Sequence, residues 1–398
     1  MRYSELIEKY AKGELENEKS AVIESEIEKH EAIADYIAER DEKELSELRL
    51  NDAEPETEKT DDFTRGIKRQ IRKSFIKAGL ITGLAAVAAM LFVMFALPGL
   101  VSKAYYDPAE KVGTDIYDNE VNRLTVDLAA YTELFIPENV RQTARAEAEG
   151  YGKYTVYIPQ EYSITGVFRD AAGMIKKNRL TLYDPNLLKL PPANIFETHR
   201  AGVSGEAAYE SGWEFDAAEY LKGFGESGKR TVYVTLDRPM SYTEFADWCG
   251  RNEVSPFWCA VCSQGSNPVP CSFGFLCNAP APLHGLTGKL ADKYPALIHD
   301  GRQDYVGEGE LRLCEDEAKA HLTDMLMYLA DDPTGLAVLM GEDREMAASF
   351  CADMTEAAYS IEVNGFQVYG FMILLDKAEA ERLISLEEVI WLFNGSVQ

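Results

Sequence analysis

The sequence predicts a chain of three parts: a small all-α cytoplasmic helical domain, one transmembrane helix, and an α+β extracytoplasmic region. Three observations predict this fold class. An apolar run without a charged residue covers 78–101, short amphipathic helical repeats precede it, and irregularly mixed strand and helix patterns follow it. Irregular mixing of strands and helices, rather than strict alternation, is typical of α+β folds.

The apolar run organises the rest of the chain. It reads AGLITGLAAVAAMLFVMFALPGLV and has no charged residue between Lys77 and Lys103. A helix of this length spans a hydrocarbon core of about 30 Å and satisfies its own backbone polar groups there. A buried core helix is the alternative, but such helices rarely run so long without a polar face. The run therefore predicts a single-pass protein of the cell membrane.

Basic residues crowd one flank of this run. Residues 65–77 carry six Lys and Arg residues and no acid, whereas the other flank offers only Lys103 and Lys111. By the positive-inside rule, the N-terminus is cytoplasmic and the large C-terminal part is extracytoplasmic. The basic residues are also candidates for contact with the membrane surface, through anionic headgroups. They are Arg65, Lys68, Arg69, Arg72, Lys73 and Lys77.

The net charge of −27 is unevenly distributed, because residues 1–64 hold 21 acids against 9 bases. Binding to nucleic acid needs clustered Lys and Arg, so direct nucleic-acid binding by this acidic segment is excluded. The segment suits a basic partner instead, such as a DNA-binding protein whose nucleic-acid surface it covers. The alternative is an acidic helix surface that only keeps the chain soluble.

Three short amphipathic helices are predicted within the cytoplasmic domain, residues 1–50. Gly13 fits the C-cap of the first helix, and Asn17 fits the N-cap of the second. Helices this short are marginal alone, and 50 residues make a thin core, so a partner is expected to cover their apolar faces. The residues of these faces are Leu6, Ile7, Tyr10, Leu15, Ile23, Ile27, Ile33, Ile37, Leu45 and Leu48.

An acidic linker over 51–62 leads to a basic amphipathic juxtamembrane helix over 63–77. Its apolar residues recur every fourth position and leave one face free to bind a partner. An ordinary basic flank beside a membrane span is the alternative. The apolar residues are Phe63, Ile67, Ile71 and Phe75.

The extracytoplasmic region divides into a connector with a β-rich part over 102–225 and an α+β domain over 226–398. Period-two patterns and apolar runs predict its strands. The strands are expected at 154–158, 164–168, 179–183, 231–236 and 366–375, with a further apolar run at 256–262. The longer helices are expected at 316–330, 343–358 and 377–384.

One junction in this region is specified closely by its residues. Pro239 follows Arg238 and is expected to stop the strand at 231–236, because proline cannot donate to a strand ladder. Ser241 and Glu244 then form a capping box that begins a helix over 241–250.

The segment YAKGELENEKSAVIESEIEKHEAIADYI, in residues 10–37, resembles the N-terminal domain of anti-sigma factors. In the zinc-associated branch of that family, the histidine opens a His-x3-Cys-x2-Cys motif. Counting from His30, the two cysteine positions fall at Ala34 and Ile37, so the ligand set is missing. The resemblance therefore implies a zinc-free version of the domain, with the apolar faces of residues 1–77 binding an RNA polymerase sigma factor.

The later segments RPMSYTEF, PFWCAVC and VYGFMILL occur in an order that resembles the C-terminal regulator domain of membrane anti-sigma factors from low-GC Gram-positive bacteria. The segment around the span resembles the companion N-terminal regulator domain. Together the resemblances imply a transmembrane anti-sigma factor that sequesters an extracytoplasmic-function sigma factor and releases it on an envelope stress signal. Release by a conformational change and release by an intramembrane or site-1 protease both stay open. The alternative function is an envelope-binding or scaffold protein with a cytoplasmic anchor tail.

Cysteines supply the remaining candidate chemistry. Cys259, Cys262, Cys271 and Cys277 have the spacing C-x2-C-x8-C-x5-C. Disulfides and free thiols both fit this spacing in an extracytoplasmic loop, and a metal site fits it less well because zinc ribbons prefer two C-x2-C pairs. No P-loop, G-x-S-x-G or H-E-x-x-H motif occurs. The sequence therefore predicts no catalytic residue, metal or cofactor, and no enzyme.

Overall fold

Two five-stranded antiparallel sheets and the helix that contacts both organise the part of the chain that the structure describes. It is a computed structural model, and it describes residues 87, 89–136, 139–141, 143–162, 168–184, 188, 196, 215–224, 228–263, 272–278, 285–298 and 309–394. All of these except residue 87 belong to one unit, Ala88–Gln398, which we call the body.

The helices of the described residues are mostly in the C-terminal half. A π-helical turn, Phe92–Ala96, comes first. The α-helices that follow are α1 (Leu97–Ser102), α2 (Arg123–Phe135), α3 (Ala217–Lys222), α4 (Tyr242–Asn252), α5 (Lys289–Lys293), α6 (Glu315–Ala330), α7 (Pro333–Met340), α8 (Arg344–Asn364) and α9 (Lys377–Ile384).

The strands form three antiparallel sheets. In chain order they are β1 (Lys111–Thr114), β2 (Glu120–Asn122), β3 (Asn139–Arg141), β4 (Arg145–Gly150), β5 (Lys153–Tyr162), β6 (Phe168–Lys176), β7 (Arg179–Leu182), β8 (Arg230–Ser241), β9 (Trp258–Ser263), β10 (Phe273–Leu276), β11 (Phe366–Leu375) and β12 (Val389–Asn394). The first two strands pair alone. The N-terminal sheet has the order β3-β5-β6-β7, with β4 also paired to β5, and the C-terminal sheet has the order β10-β9-β11-β8-β12.

The two faces of the C-terminal sheet bury separate apolar clusters. Successive strand residues point to opposite faces, so Cys259 and Val261 on β9 join the main core, whereas Trp258 and Ala260 join a smaller second cluster. Gly274 on β10 permits the close pairing of β10 with β9, because a Cβ there would lie 1.8 Å from the carbonyl oxygen of Cys259.

Strand β8 continues through the proline that was expected to end it. Thr235 pairs with Gly370 of β11, and Met240 pairs with Val368. On the β11 side, the four residues 236–239 of β8 therefore lie opposite the single residue Tyr369, which forms a bulge. Proline is tolerated in such a bulge, because the ladder does not need its missing N–H there. The prediction that Pro239 stops the strand was therefore wrong.

Several other elements agree with the sequence expectations. The side chain of Ser241 accepts a hydrogen bond from the backbone N–H of Glu244 and caps α4, as the capping-box pattern predicted. Strand β11 and helix α9 have the expected bounds, and α6 begins one residue earlier than expected. Residues 163–167, where much of one strand was expected, lie outside the described residues.

Helix α2 lies in the region for which the sequence predicted only a connector and strands. Asn122 caps it by accepting a hydrogen bond from the backbone N–H of Thr125, at 2.9 Å. Every residue from Leu124 to Phe135 is buried, and the helix contacts strands of both five-stranded sheets as well as α6 and α7. The helix is therefore the element that joins the two halves of the body.

The transmembrane helix predicted at 78–101 is contradicted by the described residues, which cover 87 and 89–101 of this run. No helix in the part of the chain that the structure describes is both long and apolar enough to cross a membrane. Within the described part of the run, helical hydrogen bonding widens to a π-turn at Phe92–Ala96, and α1 then begins with Pro98 in its first turn. Proline has no N–H to donate within a helix, which favours such an interruption. The apolar composition of the run predicted a membrane span, but composition does not show where the helix is interrupted.

The predicted fold class and localisation are corrected accordingly. The described residues form an α+β body built on antiparallel sheets, not a small all-α cytoplasmic helical domain joined by one transmembrane helix to an extracytoplasmic region. The prediction of a single-pass membrane protein, with a cytoplasmic N-terminus and an extracytoplasmic C-terminus, is contradicted with the span on which it depended. The helices expected within 1–50 and over 63–77 lie outside the described residues.

Candidate functional site

Most residues singled out from the sequence lie before the described part of the chain. All predicted sigma-binding residues, from Leu6 to Phe75, and all predicted membrane-surface residues, from Arg65 to Lys77, are outside it. Of the four candidate disulfide cysteines, Cys271 is also outside, and the other three are described.

The three described candidates are free thiols inside the body. Cys259 and Cys262 are three residues apart on β9, so they point to opposite faces of the C-terminal sheet and bury in different apolar clusters. Cys277 lies on the Cys259 side, where its thiol donates a hydrogen bond to the backbone carbonyl of Pro256 at 3.3 Å. Burial raises the pKa of Cys262 to about 12 and raises that of Cys259 above its usual range. Among the described residues, no group of three or more His, Cys, Asp or Glu side chains is placed to hold a metal ion.

Thiol alkylation of the native full chain is expected to discriminate strongly among the described cysteines. Cys314 is exposed, whereas Cys259 and Cys262 are buried. Because the reactive form is the thiolate, iodoacetamide at pH 8 should modify Cys314 at least tenfold faster than either buried thiol. Peptide mapping by mass spectrometry measures the rates, with a urea-denatured sample as the control. Equal rates in the native protein would contradict the burial described here.

The buried carboxylates of the described residues are both on α2. The only charged residues between Leu124 and Phe135 are Asp127 and Glu133, which are 4% and 5% exposed. A helix that is apolar on all sides packs inside a protein, and any acid that it carries must then find partners there. We call the two groups of partners the Asp127 cluster and the Glu133 cluster.

The Asp127 cluster is formed by three elements around one carboxylate. Tyr106, between α1 and β1, donates its hydroxyl to Oδ2, and Tyr328 of α6 donates its hydroxyl to Oδ1. The guanidinium Nε of Arg123 lies 3.8 Å from Oδ2, and its Cζ lies 5.0 Å from the centre of the Tyr106 ring. Both carboxylate oxygens are therefore engaged by the protein itself.

The electrostatics of this cluster follow from its burial. Burial raises the pKa of Asp127 to about 6, although the hydrogen bonds from Tyr106 and Tyr328 and the nearby Arg123 act to lower it. Arg123 in turn forms ion pairs with Asp332, in the turn before α7, and with Glu110. The cluster thus ties α2 to α6, to the start of α7 and to the segment between α1 and β1 that contains Tyr106.

The Glu133 cluster lies near the other end of α2. Glu133 Oε1 accepts the backbone N–H of Leu276 at 3.0 Å and lies 2.9 Å from Nε2 of His321 on α6. The backbone carbonyl of Glu133 accepts the indole N–H of Trp258 on β9 at 2.7 Å. The end of α2 therefore covers the edge of the C-terminal sheet, where strand β10 would otherwise expose unpaired groups.

The hydrogen-bond partners of His321 determine how many protons the pair holds. Its Nδ1 lies 2.6 Å from the carbonyl oxygen of Ala296, which can only accept, so this nitrogen carries a proton. The contact between Nε2 and Oε1 of Glu133 also needs a proton, and the raised pKa of His321 favours an imidazolium beside a carboxylate. Burial lowers the pKa of His321, but the charge of Glu133 and its hydrogen bond raise the pKa by more than burial lowers it. The net pKa therefore lies above its usual value.

Both clusters connect elements of the body, and both bury their carboxylate. Each carboxylate is at most 5% exposed, and both ring nitrogens of His321 are engaged within the protein. This arrangement suits mechanical coupling between elements better than proton transfer to a substrate, which needs a group within reach of the reacting atom. Sequence reasoning missed these residues. The available signal was a 12-residue stretch, 124–135, with only two charges and apolar residues on every side.

No protein-family model, curated protein or solved structure matches this chain.

Proposed function

We propose that this chain is an anti-sigma regulator, in which residues 1–77 hold an extracytoplasmic-function sigma factor inactive and the body controls its release. Two features of the sequence support the first half of the proposal. The resemblance of residues 10–37 to anti-sigma factors is one, and the acidic character of residues 1–64 with their apolar helical faces is the other. An acidic surface suits a basic DNA-binding partner, whose nucleic-acid surface it covers.

One structural observation carries the second half of the proposal. Tyr106 lies just after α1, in the N-terminal segment of the body, and its hydroxyl donates a hydrogen bond to Asp127 of α2. Helix α2 in turn contacts both five-stranded sheets. A shift of either sheet against α2 would therefore change the position of this N-terminal segment of the body, which is what a regulatory body requires. The proposal includes no transmembrane span.

The experiment that tests this proposal is co-purification of the tagged full chain with each extracytoplasmic-function sigma factor of the same genome, co-expressed one at a time. The wild-type chain is expected to retain one of them. Ile23→Asp with Ile27→Asp places two charges on an apolar face and should lower the recovered sigma factor at least tenfold, because a buried unpaired charge is costly. The amount of each protein is measured by quantitative immunoblotting, together with a promoter reporter.

A matched variant separates position from charge. Ala21→Asp with Ser25→Asp adds the same two charges about 160° to 200° around the predicted helix from Ile23, so it should retain the sigma factor. Failure of the wild-type chain to retain any sigma factor would overturn the proposal. Equal retention by both double variants would overturn the assignment of the Ile23 and Ile27 face.

A further inference from the structure

The N-terminal sheet has two edges that differ in how they are protected. Strand β4 lies at one edge, and its exposed side chains include Arg145, Glu147 and Glu149. The turn that follows β4 is also in contact with the first helical segment, because the hydroxyl of Tyr151 donates to the carbonyl oxygen of Val93. Strand β7 lies at the other edge, and no strand among the described residues pairs with its outer side. Charges and covering elements protect sheet edges in natural proteins, so β7 is the edge where another strand can add.

The register of β7 shows which of its backbone groups face outward. Tyr183, directly after β7, donates its N–H to the carbonyl oxygen of Ala172 on β6 at 3.0 Å. In an antiparallel pair, residues that exchange hydrogen bonds with the partner strand alternate with residues whose N–H and C=O groups point away from it. Counting back from Tyr183, the residues of β7 that point away from β6 are Leu182 and Leu180. Within the described part of the chain, these groups have no hydrogen-bond partner.

A groove of about 320 Å³ lies beside this strand. Its lining includes the four residues of β7 and residues 338–341 at the end of α7. The side chains of Leu180 and Leu182 are half-buried and pack on the main core, whereas Thr181 is exposed on the opposite face of the sheet. A strand that adds to this edge therefore gains hydrogen bonds and also covers apolar side chains.

We propose that the edge of β7 pairs with the same edge of a second copy of this chain, antiparallel and about a two-fold axis at Thr181. In this register, Leu180 of each copy lies opposite Leu182 of the other, and both residues exchange their outward N–H and C=O groups across the axis. Two-fold interfaces use the same surface of both copies, which requires a self-complementary surface such as this one. The pairing joins the two N-terminal sheets into one continuous sheet.

The charges at the two ends of β7 favour the antiparallel arrangement. The hairpin that leads into β7 is basic, with Lys176, Lys177 and Arg179, and Asp184 follows the other end of the strand. A parallel arrangement would bring the basic ends of two copies together. The antiparallel arrangement instead places Arg179 opposite Tyr183 of the second copy, whose ring is 87% exposed, and close to the acidic end. This inference concerns the body alone and stands whether or not the chain binds a sigma factor.

The first test traps the pairing at its axis. The two copies of Thr181 would form a pair without hydrogen bonds, with Cα atoms about 4.5 Å apart, which is within the range that a disulfide spans. The full chain with Thr181→Cys is oxidised with copper phenanthroline, and the covalent dimer is measured on a non-reducing gel. The yield should be at least tenfold higher than from Thr155→Cys, the matched control. Thr155 is an exposed threonine in the same cross-strand row, but on the inner strand β5.

The second test removes a backbone donor from the edge. Leu180→Pro deletes an N–H that points outward, so it leaves the pairing of β7 with β6 intact and removes one donor per copy from the dimer. Leu180→Ala is the matched control, because it shortens the same side chain and keeps the N–H. A short strand buries little surface, so the dimer should be reversible and concentration-dependent. Sedimentation equilibrium of the full chains should show dimerisation at least tenfold weaker for Leu180→Pro than for Leu180→Ala.

Three outcomes would overturn the proposal. One is an equal yield of covalent dimer from Thr181→Cys and Thr155→Cys. Another is a wild-type chain that stays monomeric at the highest concentration measured. The third is equal dimerisation of the two Leu180 variants when both give a folded circular-dichroism spectrum. If Leu180→Pro does not fold, the comparison of the two cysteine variants decides.

Discussion

Replacing Glu133 with alanine is expected to lower the free energy of unfolding of the body by about 3–5 kcal/mol, the usual cost of removing one partner of a buried ion pair. The substitution leaves the imidazolium of His321 without its carboxylate and the backbone N–H of Leu276 without its acceptor. The free energy of unfolding of natural domains is only about 5–15 kcal/mol, so this substitution is expected to remove a large part of the stability of the body. Urea unfolding followed by near-ultraviolet circular dichroism measures the change.

Two further variants make this expectation specific. Glu147→Ala removes an exposed carboxylate on β4 and should change the unfolding free energy by less than about 0.5 kcal/mol. Glu133→Ala combined with His321→Leu removes both charges, so it should cost less than the sum of the two single substitutions by about 0.5–3 kcal/mol. A cost below about 1 kcal/mol for Glu133→Ala alone would show that the pair is not a buried ion pair.

Protonation of Asp127 is expected to add to the stability of the wild-type body as the pH falls from 7.5 to 4. The pKa of this carboxyl is about 6 in the folded chain, against 3.8 as its ordinary value. A raised pKa means that the folded state binds the proton more tightly, so the stabilisation is fully present below the ordinary pKa and is lost as the pH rises through about 6. The shift corresponds to about 3 kcal/mol in all, of which about 1.4 kcal/mol is reached by pH 5.

The comparison with Asp127→Asn isolates this contribution. Asparagine has an oxygen that accepts from one of the two tyrosine hydroxyls and an amide N–H that donates to the other. It does not titrate, so the difference in unfolding free energy between the two proteins should change with pH by this amount. Other carboxyls, such as Asp331, whose pKa is lowered by Lys293 and Tyr294, have the opposite sign, but they are present in both proteins and cancel. Asp247→Asn, on the exposed side of α4, is the control for the exchange of a carboxylate for an amide. Parallel profiles for the wild type and Asp127→Asn would contradict the assignment.

The elements that could be predicted from the sequence are those whose signals are local. Strand β11 is a mostly apolar run that begins directly after Gly365. Helix α4 begins at an N-cap, where the side chain of Ser241 accepts the backbone N–H of Glu244, three residues further on. Such signals need no knowledge of the rest of the fold. They also set the bounds of α9, where Asp376 and Glu379 form a capping box.

The parts that could not be predicted depend on distant partners. Tyr328 and Asp127 are 201 residues apart, and His321 and Glu133 are 188 residues apart, so no pattern along the chain reports that they meet. An apolar helix such as α2 has no polar face, so its sequence does not show the helical period of 3.6 residues. Such a sequence is equally consistent with a strand or a connector. The transmembrane helix at 78–101 was predicted wrongly for a different reason. The apolar composition there is a strong local signal, but it does not reveal the interruption of the helix near Pro98.

The same long separations set the order in which the body can form during synthesis. Helix α2 leaves the ribosome about 10–40 s before Tyr328, at the usual 5–20 residues per second. For that interval its twelve residues from Leu124 to Phe135, all buried in the finished body, have no part of α6 to cover them. Long-range pairings of this kind also form slowly once both partners exist. The nascent chain therefore carries an uncovered apolar helix through about half of its translation, and during this interval that surface is open to aggregation or to chaperones that shield it.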